Sequence, residues 1–161
     1  LHEMGLFQGT QNGYDLDRTP TRAEAAVMLV RLLGKEAEVK TLTYTAPFTD
    51  LKGWEKPYVQ YLYSNGLANG TSRTTFAPDK AVTKEQACAL LARFARTRGV
   101  QAAADAAPVY VAECSAWAGS DVQSAYALGI ADSYAACLAA PQASATRAEL
   151  AHMLSDLLQR V

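Results

Sequence analysis

The sequence predicts an all-α fold built from one helical unit used three times, and three observations predict it. A Thr-basic dipeptide opens an amphipathic stretch at Thr21-Arg22, Thr83-Lys84 and Thr146-Arg147, roughly sixty residues apart. Ahead of each stands a Gly-aliphatic pair, Gly5-Leu6, Gly66-Leu67 and Gly129-Ile130. A turn-rich stretch separates the pair from the Thr-basic start each time. A fixed long period means a repeated supersecondary unit whose copies bury their apolar faces against one another. The chain has 161 residues, half of them hydrophobic, which suffices for one core in a single domain.

The elements follow in order. Leu1 to Met4 reads as the tail of a helix, so the first repeat, 1–36, is incomplete; the others span 46–99 and 109–161. From Thr21 to Leu33 the apolar residues Ala25, Ala26, Leu29, Val30, Leu32 and Leu33 keep the helical period. Thr21 serves as N-cap, Glu24 completes a capping box, and Gly34 stands just past the end. Lys35 to Pro47 reads as a linker. Trp54 to Asn65 reads as a second kind of helix, with Trp54, Tyr58, Tyr61 and Leu62 on one face and Pro57 tolerated in the first turn. Gly70 to Phe76 is a polar loop, and Gly9 to Tyr14, with its Asn12-Gly13 turn, is its counterpart in the first repeat.

The second Thr-basic helix has Thr83 and Gln86 as its capping pair and Ala87, Leu90, Leu91 and Phe94 as its stripe. After a second linker, Gly99 to Pro108, Trp117 to Leu128 repeats the Trp-headed helix. The loop Ser133 to Pro141 keeps a proline and loses the glycine and the aromatic. Thr146 and Glu149 then open the last helix, with Leu150, Met153, Leu154, Leu157 and Leu158 as its apolar face. Mutual packing of the three Thr-basic helices is expected through Leu29, Leu33, Leu90, Phe94, Met153 and Leu157.

Composition excludes several functions. Net charge is −1 without a basic run, so no nucleic-acid footprint is present. No apolar stretch is long enough to span a bilayer, and Leu1-His2-Glu3-Met4 lacks the regions of a signal peptide. No nucleophile elbow, P-loop, paired-carboxylate set or cofactor motif appears, and Asp105, Glu113, Asp121 and Asp132 are scattered; the chain is read as no enzyme. Cys88 falls on an apolar helix face as a core thiol, while Cys114 and Cys137 leave a bridge open as an alternative to two thiols. No His joins the cysteines at metal-ligand spacing, and His2 and His152 lack partners in sequence.

An ordered set of residues carries a resemblance. Phe48-x-Asp50-x-x-x-Trp54, Tyr61-Leu62-Tyr63-x-x-Gly66-Leu67-x-Asn69-Gly70, Phe76-x-Pro78 and Thr83-Lys84-Glu85-Gln86 resemble an S-layer homology module in order and spacing. Thr21-Arg22-Ala23-Glu24 and Thr146-Arg147-Ala148-Glu149 are close to that family's signature tetrapeptide. The resemblance covers the chain as three consecutive modules, the first lacking its front half. It implies a pseudo-threefold helical spindle at the bacterial cell surface, non-catalytic and cofactor-free, whose inter-module grooves bind an anionic, pyruvylated-type secondary cell-wall polysaccharide. It also implies that a groove is built from the Asp and Trp at a module's head, the basic residue of the tetrapeptide and glycine-rich loop residues.

The candidate glycan-binding residues are therefore Arg22, Asp50, Trp54, Gly9, Gly70, Thr71, Lys84, Trp117 and Arg147. A guanidinium binds a carboxylate through a two-point fork, and an indole suits the flat apolar face of a pyranose. Free backbone N–H groups behind Arg22 and Arg147 would favour an anion further. Lys84 keeps the charge without the fork, and Glu113 stands where an Asp would, so the groove led by Arg22 is expected to be the working one. Other readings stand beside these: Trp54 and Trp117 as core aromatics, Arg22 as a first-turn residue bridged to Glu24 or Asp17, Asp50 as a cap of the Trp54 helix, and the whole chain as a helical scaffold for another protein. The missing front of the first repeat is expected to be replaced by upstream sequence, a neighbouring chain in a homo-oligomer or a rearranged terminus, leaving an apolar patch at Leu1, Met4 and Leu6.

Overall fold

The structure, a computed structural model, describes residues 17–101, 113–130 and 139–160. These are helical: α1 Arg22–Leu32, α2 Glu36–Thr41, α3 Lys56–Ser64, α4 Lys84–Thr97, α5 Gly119–Ala127 and α6 Arg147–Leu158. Among the described residues there is no strand, only the isolated bridges Thr21 to Ala81 and Thr83 to Ser144.

The helix starts follow from their caps. The hydroxyls of Thr21, Thr83 and Thr146 accept the N–H groups of Glu24, Gln86 and Glu149, and the last two helices have the complete reciprocal box. The remaining first-turn donors go to backbone carbonyls from the loop that precedes another Thr-basic helix. Arg22 N–H donates to the Lys80 carbonyl at 2.8 Å and Ala23 N–H to that of Pro78 at 3.0 Å. Lys84 and Glu85 N–H groups donate to Ala143 and Pro141, each at 2.9 Å, and Arg147 N–H donates to Arg18 at 2.8 Å. Helix ends normally leave four donors without partners. At α4 all four are satisfied, and at α1 those of Arg22, Ala23 and Glu24 are, so the free backbone N–H groups expected at Arg22 are already taken up within the chain.

The chain divides into two compact units. Residues 20–81 form the first, in which α1 and α2 both pack on α3. Leu29, Val30, Val39, Val59 and Leu62 make its centre. The Tyr58 hydroxyl donates to Glu36 Oε1 at 2.8 Å and so ties the head of α2 to α3. That bond, with Arg31 and Lys40 nearby, outweighs slight burial and holds the Glu36 carboxyl below its ordinary value. The second unit takes residues 17–19 with those from 82 onward, and in it α4 packs on α5 and α6. Its centre holds Phe94, Val122, Ile130, Met153, Leu154 and Leu157, with the Cys88 side chain fully buried as expected.

Several expectations are corrected. The Trp-headed helices begin two residues late, at Lys56 and Gly119, so both tryptophans stand ahead of their helices rather than on them. Before α3 the chain turns at Gly53, whose φ of 126° lies in the region glycine tolerates, and Glu55 folds back to accept the Lys52 N–H at 2.7 Å. The stretch read as a linker, Lys35 to Pro47, contains α2, anchored by fully buried Val39. Leu33 and Leu90 are half-buried, and the α4 core position is Leu91. Leu1, Met4, Leu6, His2, Gly9 and Cys137 lie outside the described residues, and with them the expected apolar patch and any pairing of Cys137 with Cys114.

Candidate functional site

Residues 48–77 of the first unit form a frame around Asp50. Its carboxylate accepts the Phe76 N–H at 2.9 and 3.2 Å on its two oxygens and the Ala77 N–H at 2.8 Å. Burial pushes the carboxyl up, but the N–H groups of Phe76, Ala77 and Asp50 itself and the Arg22 charge outweigh it, and the group sits below its ordinary value. Ala77 has a φ of 56°, in the left-handed region that costs an L residue energy. Asp50 therefore holds a strained corner closed rather than capping α3.

Arg22 reaches the same corner from α1. Its Nε donates to the Phe76 carbonyl at 2.8 Å and Nη2 to the Asn69 carbonyl at 3.1 Å, while the guanidinium carbon lies 4.4 Å from the centre of the Phe76 ring. Only 8% of Arg22 is exposed. Its hydrogen-bond acceptors among the described residues are thus neutral carbonyls, not Glu24 or Asp17. Burial lowers its pKa to about 10, partly offset by the Asp50 charge. Phe76 in turn touches Phe48, which meets Tyr63 edge-on at 5.1 Å.

The tryptophans are not core. Trp54 is 59% exposed and Trp117 53% exposed, although their neighbours Glu55 and Ala118 are buried. An indole turned to solvent ahead of a packed helix, at the same place in two repeats, has no packing role that explains it. Gly70 is fixed by its own surroundings: a β-carbon there would collide with the Phe48 ring and the carbonyls of Thr75 and Ser72. Thr71 closes the same loop, its N–H donating to the Thr75 carbonyl at 2.9 Å.

In the second unit the corresponding residues are arranged differently. Lys84 is only 13% exposed, and its Nζ lies 3.9 Å from Glu149 Oε1. Buried Glu85 accepts the Ser115 N–H at 3.0 Å and the Ser115 hydroxyl at 2.6 Å, which fixes the chain just before Trp117. Gln142 donates to the Glu113 carbonyl at 2.9 Å, so a carboxylate on α4 and an amide on the following loop replace the clamp that Asp50 supplies in the first unit. Arg147 is buried. Sequence reasoning missed Glu85, the carbonyls of Asn69 and Phe76 as Arg22 acceptors, and the Phe76 ring beneath it. The Phe76-Ala77-Pro78 motif was the available signal, since the residue before a proline is conformationally restricted. Among the described residues no cluster of metal-ligating side chains exists, and no helix is long and apolar enough to cross a membrane.

Residues 47–88 match the family model of the S-layer homology domain, the segment that carries Asp50, Trp54, the Gly70 loop and the start of α4. The chain therefore carries an S-layer homology domain at these residues. It is 30% identical, over its whole length, to an endoglucanase of a Bacillus species, of which it spans 17%. It is 28% identical over 99% of its length to the middle cell wall protein of Brevibacillus brevis, spanning 14% of it, and 29% identical over 97% to a cellulosome-anchoring protein of Acetivibrio thermocellus, spanning 34%. The chain therefore covers a minor part of each of these relatives.

Proposed function

We propose that the chain anchors the protein that carries it by binding an anionic secondary cell-wall polysaccharide, without catalysis of its own. An acidic sugar residue occupies the Trp54 and Arg22 surface of the first unit, and the repeats at 46–99 and 109–161 present the two tryptophans. The observation that carries this reading is the 59% exposure of Trp54, held four residues beyond an Asp50 clamp that also positions the carbonyl on Arg22. A pyranose face stacks on the indole, and its carboxylate approaches a guanidinium that burial has stripped of water and whose one charged neighbour, Asp50, compensates only in part. Lys84, its ammonium 3.9 Å from Glu149 and without the fork of a guanidinium, is a weaker contributor in this reading.

The test is co-sedimentation with purified wall sacculi, before and after acid removes their attached polymer. Trp54→Ala should leave the fold intact, because the side chain is exposed, and should weaken binding by about 1–3 kcal/mol, the range for loss of a stacked anchor. Retention on acid-stripped sacculi would favour the protein-scaffold reading instead, and unchanged binding by the Trp54→Ala protein would remove the indole from the site.

A further inference from the structure

The second unit contains a cleft of about 420 Å³ remote in sequence from the Trp54 and Arg22 surface. One wall is the end of α4 and the turn after it, with Arg96, Val100 and Gln101; the other is one face of α5, with Ser120, Ser124 and Leu128. Its size falls within the range of small-ligand sites, about 300–1,000 Å³. Among the described residues no acidic side chain lines it.

Charge distinguishes this cleft from a plain surface dent. Asp121, buried on α5, accepts from Arg93 Nε at 3.2 Å and Arg93 Nη2 at 2.9 Å on one oxygen, and from Arg96 Nη2 on the other. Two guanidiniums thus share one carboxylate, and the excess positive charge falls on Arg96, whose side chain is 53% exposed at the cleft wall. Asp121 holds one nitrogen of that guanidinium and leaves its other N–H groups for an incoming anion. The Ser120 hydroxyl can donate and accept, and the Ser124 hydroxyl, which donates to the Ser120 carbonyl at 3.0 Å, can still accept. The Gln101 amide, which gives one N–H to the Gly99 carbonyl at 3.4 Å, keeps a second N–H and its oxygen, so the wall offers both donors and acceptors to sugar hydroxyls. Val100 and Leu128 add an apolar patch for the C–H face of a ring.

We infer that this cleft binds a carboxylated sugar residue, as a second glycan contact separate from the Trp54 surface. The inference stands on the second unit alone and does not require the Trp54 reading. The test uses glucuronic acid and glucose as probes on the intact chain labelled with 15N. Glucuronate should produce saturable shifts at the amides of Gln101, Ser120 and Ser124, and glucose at equal concentration should bind at least tenfold more weakly. Arg96→Gln should weaken the glucuronate response at least tenfold. Because that change also removes a partner of Asp121, Ser124→Tyr serves as a second variant that fills the cleft while leaving the arginines in place, and it should abolish the response. Equal response to glucose, equal response to acetate, or shifts that survive both substitutions would each overturn the assignment. Trp54→Ala should leave these shifts unchanged, so loss of sacculus binding and loss of the cleft response are read separately.

Discussion

Asp50→Ala should destabilise the first unit more than any other single change at the surface. The carboxylate accepts two backbone N–H groups, one shared between both oxygens, and Phe76 is buried. A hydrogen bond to a charged group contributes about 1.5–3 kcal/mol. Partial exposure of Asp50 places the pair toward the lower end, giving a loss of about 3–4 kcal/mol. The native carboxyl lies below its ordinary 3.8, so its contribution is whole above about pH 4 and is lost as pH falls through the lowered native value. Urea denaturation at pH 7 and at intervals down to pH 3 measures both effects. The Asp50→Ala protein should show a lower midpoint at pH 7 and a shallower decline in acid. Ala77→Gly removes a left-handed penalty of about 1–2 kcal/mol and should recover part of the loss in the Asp50→Ala background. A midpoint unchanged by Asp50→Ala, or an acid limb identical to that of the parent, would refute the clamp.

Two further expectations follow from packing. Gly70→Ala should destabilise the loop, because two of the atoms its β-carbon would meet are backbone carbonyls that cannot swing aside; binding lost while the denaturation midpoint holds would instead indicate close ligand approach. Leu91→Ala should cost about 2–5 kcal/mol and Leu90→Ala clearly less, since only Leu91 is fully buried; equal midpoints for the two variants would mean that α4 is rotated from its observed face.

What was legible in the sequence were features carried by side chains within a few residues of each other. The Thr caps of α1, α4 and α6, the helical class and burial of Cys88 all came from local spacing. Leu90 and Leu91 are both apolar, and period alone could not choose between adjacent positions; the packing of α5 and α6 on α4 did. The partners of Asp50 and Arg22 are backbone groups 26 to 54 residues away, and a carbonyl or N–H group has no letter of its own in a sequence. The two exposed tryptophans read equally well as core, because an aromatic at helical spacing looks the same whether the helix begins before it or after it.

The compact units fall half a repeat out of step with the sequence period, and the capping pattern accounts for it. The sequence repeat ends with its Thr-basic helix, yet α1 packs on α3 and α4 on α5, each a Trp-headed helix of the following repeat. The first-turn N–H groups of α1 are satisfied by Lys80 and Pro78, and those of α4 by Ala143 and Pro141, again from the following repeat. A Thr-basic helix cut from the next repeat would expose two orphan donors and its apolar face together, so neither the cap nor the burial is complete within one sequence repeat. The match to residues 47–88 therefore spans the end of one structural unit and the start of the next. The buried Arg22 corner illustrates the consequence: its cation is contributed by one repeat, and Asp50, Asn69 and Phe76 by the repeat that follows. A side-chain cluster assembled in this way varies from copy to copy when either contributing repeat changes. Substituting Lys84 for the arginine and Glu113 for the aspartate alters the second copy while both capping boxes and all three helix starts remain intact.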